Sequence, residues 1–211
     1  MALIILIDKI TQALENGDYV IGIFLDFSKA FDTIDHHILL KKLEMCGIRG
    51  VAHKWIQSYM SNRYQYVQYN DVSSSWKKIV CGVPQGSILG PLLFLMYIND
   101  LASITKHIFP LMFADDTNGF VIGKDLYNMQ QEINKELHVI SEWLKTNKLS
   151  LNVDKTHFMV FSGKKKISYA ISIMIDGKHI ERVAHTKFLG VIIDENLTWK
   201  LHICSVKKKN G

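Results

Sequence analysis

The sequence contains little cysteine and no long hydrophobic run. Its three cysteines, Cys46, Cys81 and Cys204, form no Cys-x-x-Cys pair, which argues against a disulfide framework and against a cysteine-based zinc site. The apolar start, Met1–Ile7, has only seven residues. It is too short to cross a membrane, and it lacks the basic residues and cleavage site of a signal peptide. We therefore expect an intracellular protein, in the nucleus or the cytoplasm, that makes no membrane contact.

Positive charge is in small excess. The sequence has 25 Lys and Arg residues and 20 Asp and Glu residues, which gives a net charge of +5. This excess is compatible with a polyanionic partner, but many proteins with the same excess bind no nucleic acid. Nine histidines are present, yet no His-Glu-x-x-His pattern occurs. The adjacent His36 and His37 would point about 100° apart on a helix. A zinc site is therefore not expected.

Hydrophobic spacing predicts helices and strands that alternate early in the chain, followed by pairs of strands. The predicted helices span 4–15, 35–46, 52–60, 89–101 and 125–145. The predicted strands span 19–25, 63–69 (paired with 74–81), 108–114, 157–161, 171–175 and 187–193. This order favours the α+β class, with a mainly antiparallel sheet backed by helices.

Two of the predicted strands end in aspartate, one at Asp26 and the other at Asp115 and Asp116. Carboxylates held at neighbouring strand ends suit Mg²⁺, which prefers oxygen ligands. Two such ions, about 3.5–4 Å apart, stabilise the attacking and leaving oxygens of a phosphoryl transfer. The alternative is that the paired aspartates form an ordinary turn, and Asn118-Gly119 is also typical of a hairpin.

Five segments resemble, in order, the motifs of reverse transcriptases. Their sequences are most similar to those of retrotransposons without long terminal repeats (the LINE-like class). The first to fifth motifs are FLDFSKAFD at Phe24–Asp32, GVPQGSILGP at Gly82–Pro91, FADD at Phe113–Asp116, the segment Leu149–Phe161, and FLG at Phe188–Gly190. The resemblance covers 19–193 and implies a right-hand polymerase palm with partial fingers and no complete thumb. Residues 1–195 would form this palm, and 196–211 would be a truncated start of the thumb or a basic tail.

The resemblance also implies a metal site. Asp26 and Asp115 would be the principal metal ligands, with the backbone carbonyl of Phe27 as a further ligand. Asp116 would support them and position the primer end. The implied cofactor is Mg²⁺, with Mn²⁺ as a substitute.

Other residues take roles in nucleotide binding and proton transfer by the same resemblance. Phe31 would be the steric gate that leaves no room for a 2′-hydroxyl, and Pro84, Gln85 and Gly86 would contact the incoming nucleotide. Lys155 would protonate the pyrophosphate leaving group. The alternatives are a core aromatic ring for Phe31 and an ordinary surface lysine for Lys155.

The fifth motif would grip the primer through Phe188, Leu189 and Gly190. Two further acidic residues, one at the end of the first motif and one three residues after it, invite the same metal role. We instead expect Asp32 to be structural and Asp35 to cap the following helix.

The implied activity is RNA-directed DNA synthesis, in which deoxynucleoside triphosphates extend a DNA primer on an RNA template. Only about 25 residues precede Asp26 and about 20 follow Gly190, so fingers and thumb residues of full-length relatives would be missing. The competing interpretation is therefore a catalytically inactive retrotransposon remnant with weak RNA or DNA binding. An unrelated α+β nucleotide-binding domain would require five accidental motif matches. The sequence does not indicate an oligomeric state.

Overall fold

The computed structural model describes residues 2–113, 116–163 and 165–209. The chain divides into two compact units. One comprises Met1–Phe27, Ala102–Trp143 and Leu151–Gly211 and is called the sheet unit below. The other comprises Ser28–Leu101 and Leu144–Ser150 and is called the helical unit. No helix of the described residues is long and apolar enough to span a membrane.

Helices and strands follow one another in the predicted α+β order. In chain order they are α1 (Ala2–Glu15), β1 (Tyr19–Leu25), α2 (His36–Met45), α3 (Gly50–Met60), β2 (Tyr64–Gln65), β3 (Gln68–Tyr69), β4 (Val72–Ser73), β5 (Lys77–Lys78), α4 (Leu89–Ile98), α5 (Leu101–Ile104), β6 (Phe109–Phe113), β7 (Asp116–Gly123), α6 (Leu126–Thr146), β8 (His157–Phe161), β9 (Met174–Ile175), β10 (Lys178–His179), β11 (Glu181–Arg182), β12 (His185–Phe188), β13 (Val191–Asp194) and α7 (Lys200–Lys209).

The sheet unit is built on a five-stranded sheet in the order β11-β8-β1-β7-β6. All neighbours are antiparallel except β11 and β8, so the predicted mainly antiparallel sheet is confirmed. β1 lies at its centre, between β8 and β7, and its apolar residues from Val20 to Leu25 are buried. The core of this unit comprises Leu6, Ile10, Ala13, Val20, Phe24, Phe120, Met159, Phe161, Phe188 and Ile193.

Asn118 and Gly119 lie inside β7 and pair with Phe24 and Ile23 of β1, so the hairpin turn considered at these two residues is wrong. A Cβ atom on Gly119 would lie 2.4 Å from Cγ2 of Ile108. The glycine is therefore explained by close packing within the sheet, and turn formation is not needed to explain it. β6 and β7 still form an antiparallel pair that ends at Phe113 and Asp116.

The predicted single strand over 187–193 is wrong, because the chain reverses in its middle. β12 and β13 pair on either side of Leu189 and Gly190, whose φ angles are +47° and +85°. Left-handed φ angles at both central residues are typical of a two-residue type I′ turn. Leucine is unusual at the first of these positions, so local residue preferences do not predict the turn.

A buried carboxylate on α6 fixes the start of β6. Glu136 is 8% exposed, and its Oε1 accepts the backbone N–H groups of Lys106 at 2.9 Å and His107 at 2.7 Å. Its Oε2 accepts the N–H of Ile108 at 2.9 Å. Three donors that β pairing does not use are thereby satisfied. The strand that leads into the third motif is therefore held in place from α6.

The helical unit contains a buried tyrosine that ties α4 to the end of α6. The Tyr97 side chain is fully buried, and its hydroxyl donates to the Asn147 carbonyl at 2.6 Å. Burial raises the pKa of Tyr97 to about 12. Lys42 Nζ donates to the Tyr97 carbonyl and to Asp100 Oδ1, each at 2.6 Å. Partial burial lowers the pKa of Lys42, and Asp100 counters this effect.

Asp35 caps α2, as the sequence predicted. Its Oδ1 accepts the N–H groups of His37 at 2.9 Å and Ile38 at 3.0 Å, and Lys148 Nζ donates to its Oδ2 at 2.6 Å. The hydrogen bond from Lys148, followed by that from Ile38, lowers the pKa of Asp35 below its ordinary value of 3.8. The cap is therefore strongest when the carboxylate is ionised.

Replacement of Asp35 by alanine is expected to lower the free energy of unfolding by about 1 kcal/mol at pH 7, because a cap and a half-exposed ion pair are lost. Because the folded pKa is depressed, this contribution is present above the unfolded value of 3.8 and is lost as pH falls through the folded pKa. Urea unfolding from pH 7 to pH 3 measures it. Asp71→Ala, in an exposed turn, is the control. A difference that stays equal at both pH values would contradict the assignment.

Candidate functional site

Asp26 lies directly after β1 and is held by the fourth motif. Its backbone N–H donates to Thr156 Oγ1 at 3.3 Å, and its carbonyl accepts the N–H of Asn152 at 2.7 Å. The threonine hydroxyl also donates to the Asn152 carbonyl at 2.9 Å. Both backbone groups of Asp26 are therefore used on the side of β8, and its half-buried carboxylate is carried by a fixed backbone.

Asp116 begins β7 on the other side of β1. The last paired residues of these strands are Leu25 and Thr117. Continuing the register by one position places Asp26 opposite Asp116, and side chains opposite each other on antiparallel strands lie on the same face. The pairing of β1 with β7 therefore sets the strand ends that carry two of the three predicted carboxylates side by side. Asp115 lies outside the described residues.

The hydrogen bonds around Phe27 define the direction of its carbonyl, which is a predicted metal ligand. Phe27 forms an antiparallel bridge with Leu151, and the hydrogen bonds of this bridge belong to the residues on either side of Phe27. In an antiparallel ladder successive residues direct their N–H and C=O groups to opposite edges. The Phe27 carbonyl therefore points away from the fourth motif, toward the edge where β7 begins.

These oxygen donors are chemically suited to a hard divalent cation. Two carboxylates and a backbone carbonyl are ligands that Mg²⁺ accepts. Within residues 2–113, 116–163 and 165–209, no group of three His, Cys, Asp or Glu side chains lies close enough to hold a metal ion. Asp115, the expected third carboxylate, is not in those ranges, so the metal site stays a prediction.

Lys155 belongs to the same turn that holds Asp26. Its backbone N–H donates to the Asn152 carbonyl at 3.1 Å, and its carbonyl accepts from His157 Nδ1 at 2.8 Å. The side chain is exposed. The structure thus attaches Lys155 to the segment that fixes Asp26, although a surface lysine would have the same exposure.

In the helical unit, the chain after Phe31 is hydrogen-bonded to the start of the second motif. The N–H of Val83 donates to the Phe31 carbonyl at 2.8 Å, and the N–H of Gly82 donates to the Ile34 carbonyl at 2.7 Å. A Cβ atom on Gly82 would lie 2.8 Å from the Asp32 carbonyl oxygen, and its φ is +83°. Glycine is therefore required for this close approach of two backbones.

Gln85 is oriented by Asp32. The sequence predicts only a structural role for Asp32. Gln85 Nε2 donates to Asp32 Oδ1 at 2.8 Å. No spacing pattern would have paired these residues, because 53 positions separate them. Gln85 and Gly86 are exposed and Pro84 is half-buried. The three predicted nucleotide contacts therefore lie together on an accessible loop.

Phe31 is half-buried and packs against the fully buried Phe94, with ring centroids 4.8 Å apart and an interplanar angle of 39°. A core residue supports one side of its ring, while part of the ring stays accessible. This arrangement allows a rigid steric gate, but it also resembles an aromatic residue at the edge of a core. The gate stays a prediction.

The Phe188 ring, which is part of the predicted primer grip, is not accessible to a primer. Phe188 is 2% exposed and belongs to the core of the sheet unit. Leu189 packs against that core, and Gly190 is exposed at the turn. A primer could therefore contact the β12–β13 hairpin only at its turn, and Phe188 anchors this hairpin in the core.

A cleft of about 770 Å³ opens in the helical unit beside Pro84, Gln85 and Gly86, the predicted nucleotide contacts, which are called the nucleotide loop below. Its lining includes basic and aromatic side chains, among them Lys29, His36, Arg63, Tyr64 and Lys78, together with the Gln85 amide. His36 Nε2 forms a hydrogen bond of 2.7 Å with the Gly82 carbonyl. His36 therefore helps to hold the chain at the start of the second motif.

Comparison with protein families identifies the chain. The model of the family described as "Reverse transcriptase (RNA-dependent DNA polymerase)" matches residues 4–193. The chain belongs to the reverse transcriptase family. The family predicted from the five motifs is therefore confirmed, with a match that covers the helical unit and most of the sheet unit.

The curated relatives are polymerases of insect retrotransposons. The chain is 27% identical over 204 residues to the RNA-directed DNA polymerase from mobile element jockey of Drosophila melanogaster, covering 93% of this chain and 22% of the relative. It is 25% identical over 207 residues to the probable RNA-directed DNA polymerase from transposon X-element of the same species, covering 96% and 22%. The chain thus spans about a fifth of the length of these relatives.

Solved telomerase structures share the fold of this chain. Apo telomerase from Candida tropicalis, truncated from its C-terminal domain, has a TM-score of 0.60 at 13% identity, covering 90% of this chain and 38% of that one. Telomerase from Candida albicans, in complex with a fragment of telomeric RNA, has a TM-score of 0.57 at 13% identity, covering 90% and 32%. The predicted fold class, that of a reverse transcriptase palm, is confirmed.

Proposed function

We propose that this chain contributes the RNA-directed DNA polymerase activity of a non-LTR retrotransposon, in which a primer 3′-hydroxyl attacks the α-phosphate of a deoxynucleoside triphosphate. The observation that supports it most is that β1, which ends one residue before Asp26, pairs with β7, which begins at Asp116. Family membership supports the same reaction. The partners in this proposal are an RNA template, a DNA primer and deoxynucleoside triphosphates, in an intracellular compartment.

The metal in this proposal is Mg²⁺, with Mn²⁺ as a substitute. Asp26, Asp115 and Asp116 would hold it through carboxylate oxygens, with the Phe27 carbonyl as a further ligand. When bound, the ions would stabilise negative charge on the attacking and leaving oxygens. The strand backbone keeps Asp26 in place through the hydrogen bonds with Asn152 and Thr156. Such preorganisation favours catalysis because little rearrangement is needed during the reaction.

The nucleotide in this proposal is positioned from the helical unit. Gln85, oriented by Asp32, would donate a hydrogen bond to the nucleotide or template, with Pro84 and Gly86 alongside. Phe31 would clash with a 2′-hydroxyl, and Phe94 behind its ring would prevent it from yielding. These contacts provide position and selectivity, and the reaction itself needs little further chemistry from them.

Two further contacts complete the proposal. Lys155 would give a proton to the pyrophosphate leaving group, a role that suits an exposed, mobile ammonium. The Leu189-Gly190 turn, anchored by Phe188, would touch the primer backbone. Because such contacts are largely to phosphates, binding should weaken steeply as salt is raised.

Primer extension tests the proposal. The purified chain is incubated with an RNA template, a labelled DNA primer, deoxynucleoside triphosphates and Mg²⁺, beside an Asp115→Asn, Asp116→Asn double variant. We expect extension by the chain and none by the variant, because the variant loses two metal-binding charges. Extension no greater than that of the double variant, across metal and template concentrations, would support the inactive remnant.

A further inference from the structure

The segment from Arg63 to Ile79, called the aromatic hairpin, is exposed along almost its whole length. β2 pairs with β5 and β3 pairs with β4, and Asn70 reverses the chain with a φ of +50°. Every residue from Tyr64 to Lys78 is exposed. An isolated two-stranded hairpin is only marginally stable in water, so a surface of this kind is suited to a partner that stabilises it.

One face of the aromatic hairpin carries a row of rings. Tyr64 lies opposite Lys78, and the register continued by two positions places Tyr66 opposite Trp76 on the same face. The Tyr66 and Trp76 rings are in contact, with centroids 4.4 Å apart and an interplanar angle of 48°. Trp76 is nevertheless 65% exposed and Tyr64 55%. The rings thus offer flat surfaces that the protein itself does not cover.

The charge on the aromatic hairpin is positive. Arg63, Lys77 and Lys78 lie within it, against a single acidic residue, Asp71. Arg63 Nη1 donates to the Tyr59 carbonyl at 3.3 Å and the guanidinium lies over the Tyr59 ring, so this cation is held beside another aromatic residue. Exposed rings among cations match the chemistry of single-stranded nucleic acid, which presents unpaired bases and phosphates.

The aromatic hairpin is continuous with the nucleotide loop. Tyr64 and Lys78 line the same cleft as Pro84 and Gln85, and all of these residues belong to the helical unit. A strand bound along the hairpin therefore has a route to the loop that the proposed function assigns to nucleotide and template contact. A protein partner would have no need of this continuity.

We propose that the aromatic hairpin binds the unpaired RNA template strand, with bases stacked on Tyr66, Trp76 and Tyr64 and phosphates beside Lys77 and Lys78. The identification of the strand as template rests on the proposed function. The stacking surface itself rests on the exposed rings and charges. Each stacked base contributes about 1–3 kcal/mol, with little preference among base types. The hairpin therefore holds template RNA without reading its sequence.

Fluorescence anisotropy of a labelled single-stranded RNA with the whole chain, without metal or nucleotides, tests the proposal. We expect the Tyr66→Ala, Trp76→Ala double variant to bind about tenfold or more weakly, because two stacking surfaces are lost. The Tyr66→Phe, Trp76→Phe variant should retain most of the affinity. Tyr127→Ala, which removes a ring of similar exposure (54%) from α6 in the sheet unit, is the matched control. Unchanged unfolding midpoints would show that all variants remain folded.

Tryptophan fluorescence gives a second readout. A base stacked on Trp76 should quench its emission, and Trp76→Phe should remove most of the quenching caused by single-stranded RNA. A fully paired RNA of the same sequence should quench little, since its bases are already stacked. Equal RNA affinity of the alanine variant and the native chain would overturn the proposal. The proposal would also be overturned if the alanine variant lost self-association of the chain but kept its RNA binding. The two proposals fail in different ways. A native chain that binds RNA through the aromatic hairpin but extends no primer contradicts only the polymerase proposal. A native chain that extends primers while the alanine variant keeps its RNA affinity contradicts only this inference.

Discussion

Replacement of Asp26 by asparagine is expected to slow primer extension about a thousandfold, which corresponds to about 4 kcal/mol of transition-state stabilisation. Asparagine keeps the shape of the side chain but removes the negative charge that would hold a metal ion. The backbone hydrogen bonds of residue 26 to Asn152 and Thr156 do not involve the carboxylate, so the fold should persist. Single-turnover extension with saturating primer and template measures the effect.

Asp154 provides the matched control for this substitution. It is an exposed aspartate in the turn whose neighbours bind the backbone of Asp26, and Asp154→Asn should change the rate by about twofold or less. An Asp26→Asn variant that extends primers as fast as the native chain would exclude Asp26 as a metal ligand. If the native chain extends no primer, the polymerase proposal itself fails for this chain.

Replacement of Phe188 by alanine is expected to lower the free energy of unfolding by about 3–5 kcal/mol, because it leaves a large cavity in a packed core. The side chain is 2% exposed and packs in the core of the sheet unit. Such a loss is a large share of the roughly 5–15 kcal/mol that stabilises most domains. Urea unfolding followed by circular dichroism measures it.

Two companion variants keep this prediction testable if the alanine variant does not fold. Phe188→Leu fills most of the space and should lose about 1.5 kcal/mol or less. Phe113→Ala removes a ring that is 56% exposed and should change stability by about 0.5 kcal/mol. A Phe188→Ala variant with native stability but weakened primer binding would show that the ring contacts the primer and is not a core residue.

The elements that hold the carboxylates were predictable because their signals are local. β1 is a continuous apolar run between Gly17 and Asp26, and the structure places the strand at Tyr19–Leu25 as predicted. α6 was visible from the apolar spacing of its residues and extends over Leu126–Thr146. In both segments burial follows the spacing of neighbours in sequence, so no knowledge of distant contacts was needed.

The contacts that support the site were not predictable from the sequence because they join distant segments. Glu136 on α6 binds backbone groups about 30 positions earlier, and a buried glutamate resembles a surface one until its partners are known. The pairing of Asp32 with Gln85 has no sequence signal either. At Leu189 the chain adopts a conformation that leucine rarely takes, so tertiary packing overrides local preference there.

The junction between the chain after Phe31 and the second motif has a consequence for lineages of retrotransposon copies. It is made by backbone groups, with Gly82 and Val83 donating to the Ile34 and Phe31 carbonyls, and every amino acid except proline can supply such donors. Neutral drift can therefore change many side chains of this region while the loop keeps its shape. Gly82 is the exception, since a codon change to any larger residue would separate the two backbones. In a copy that accumulates mutations, a substitution at Gly82 would therefore disrupt this junction even where changes at neighbouring positions do not.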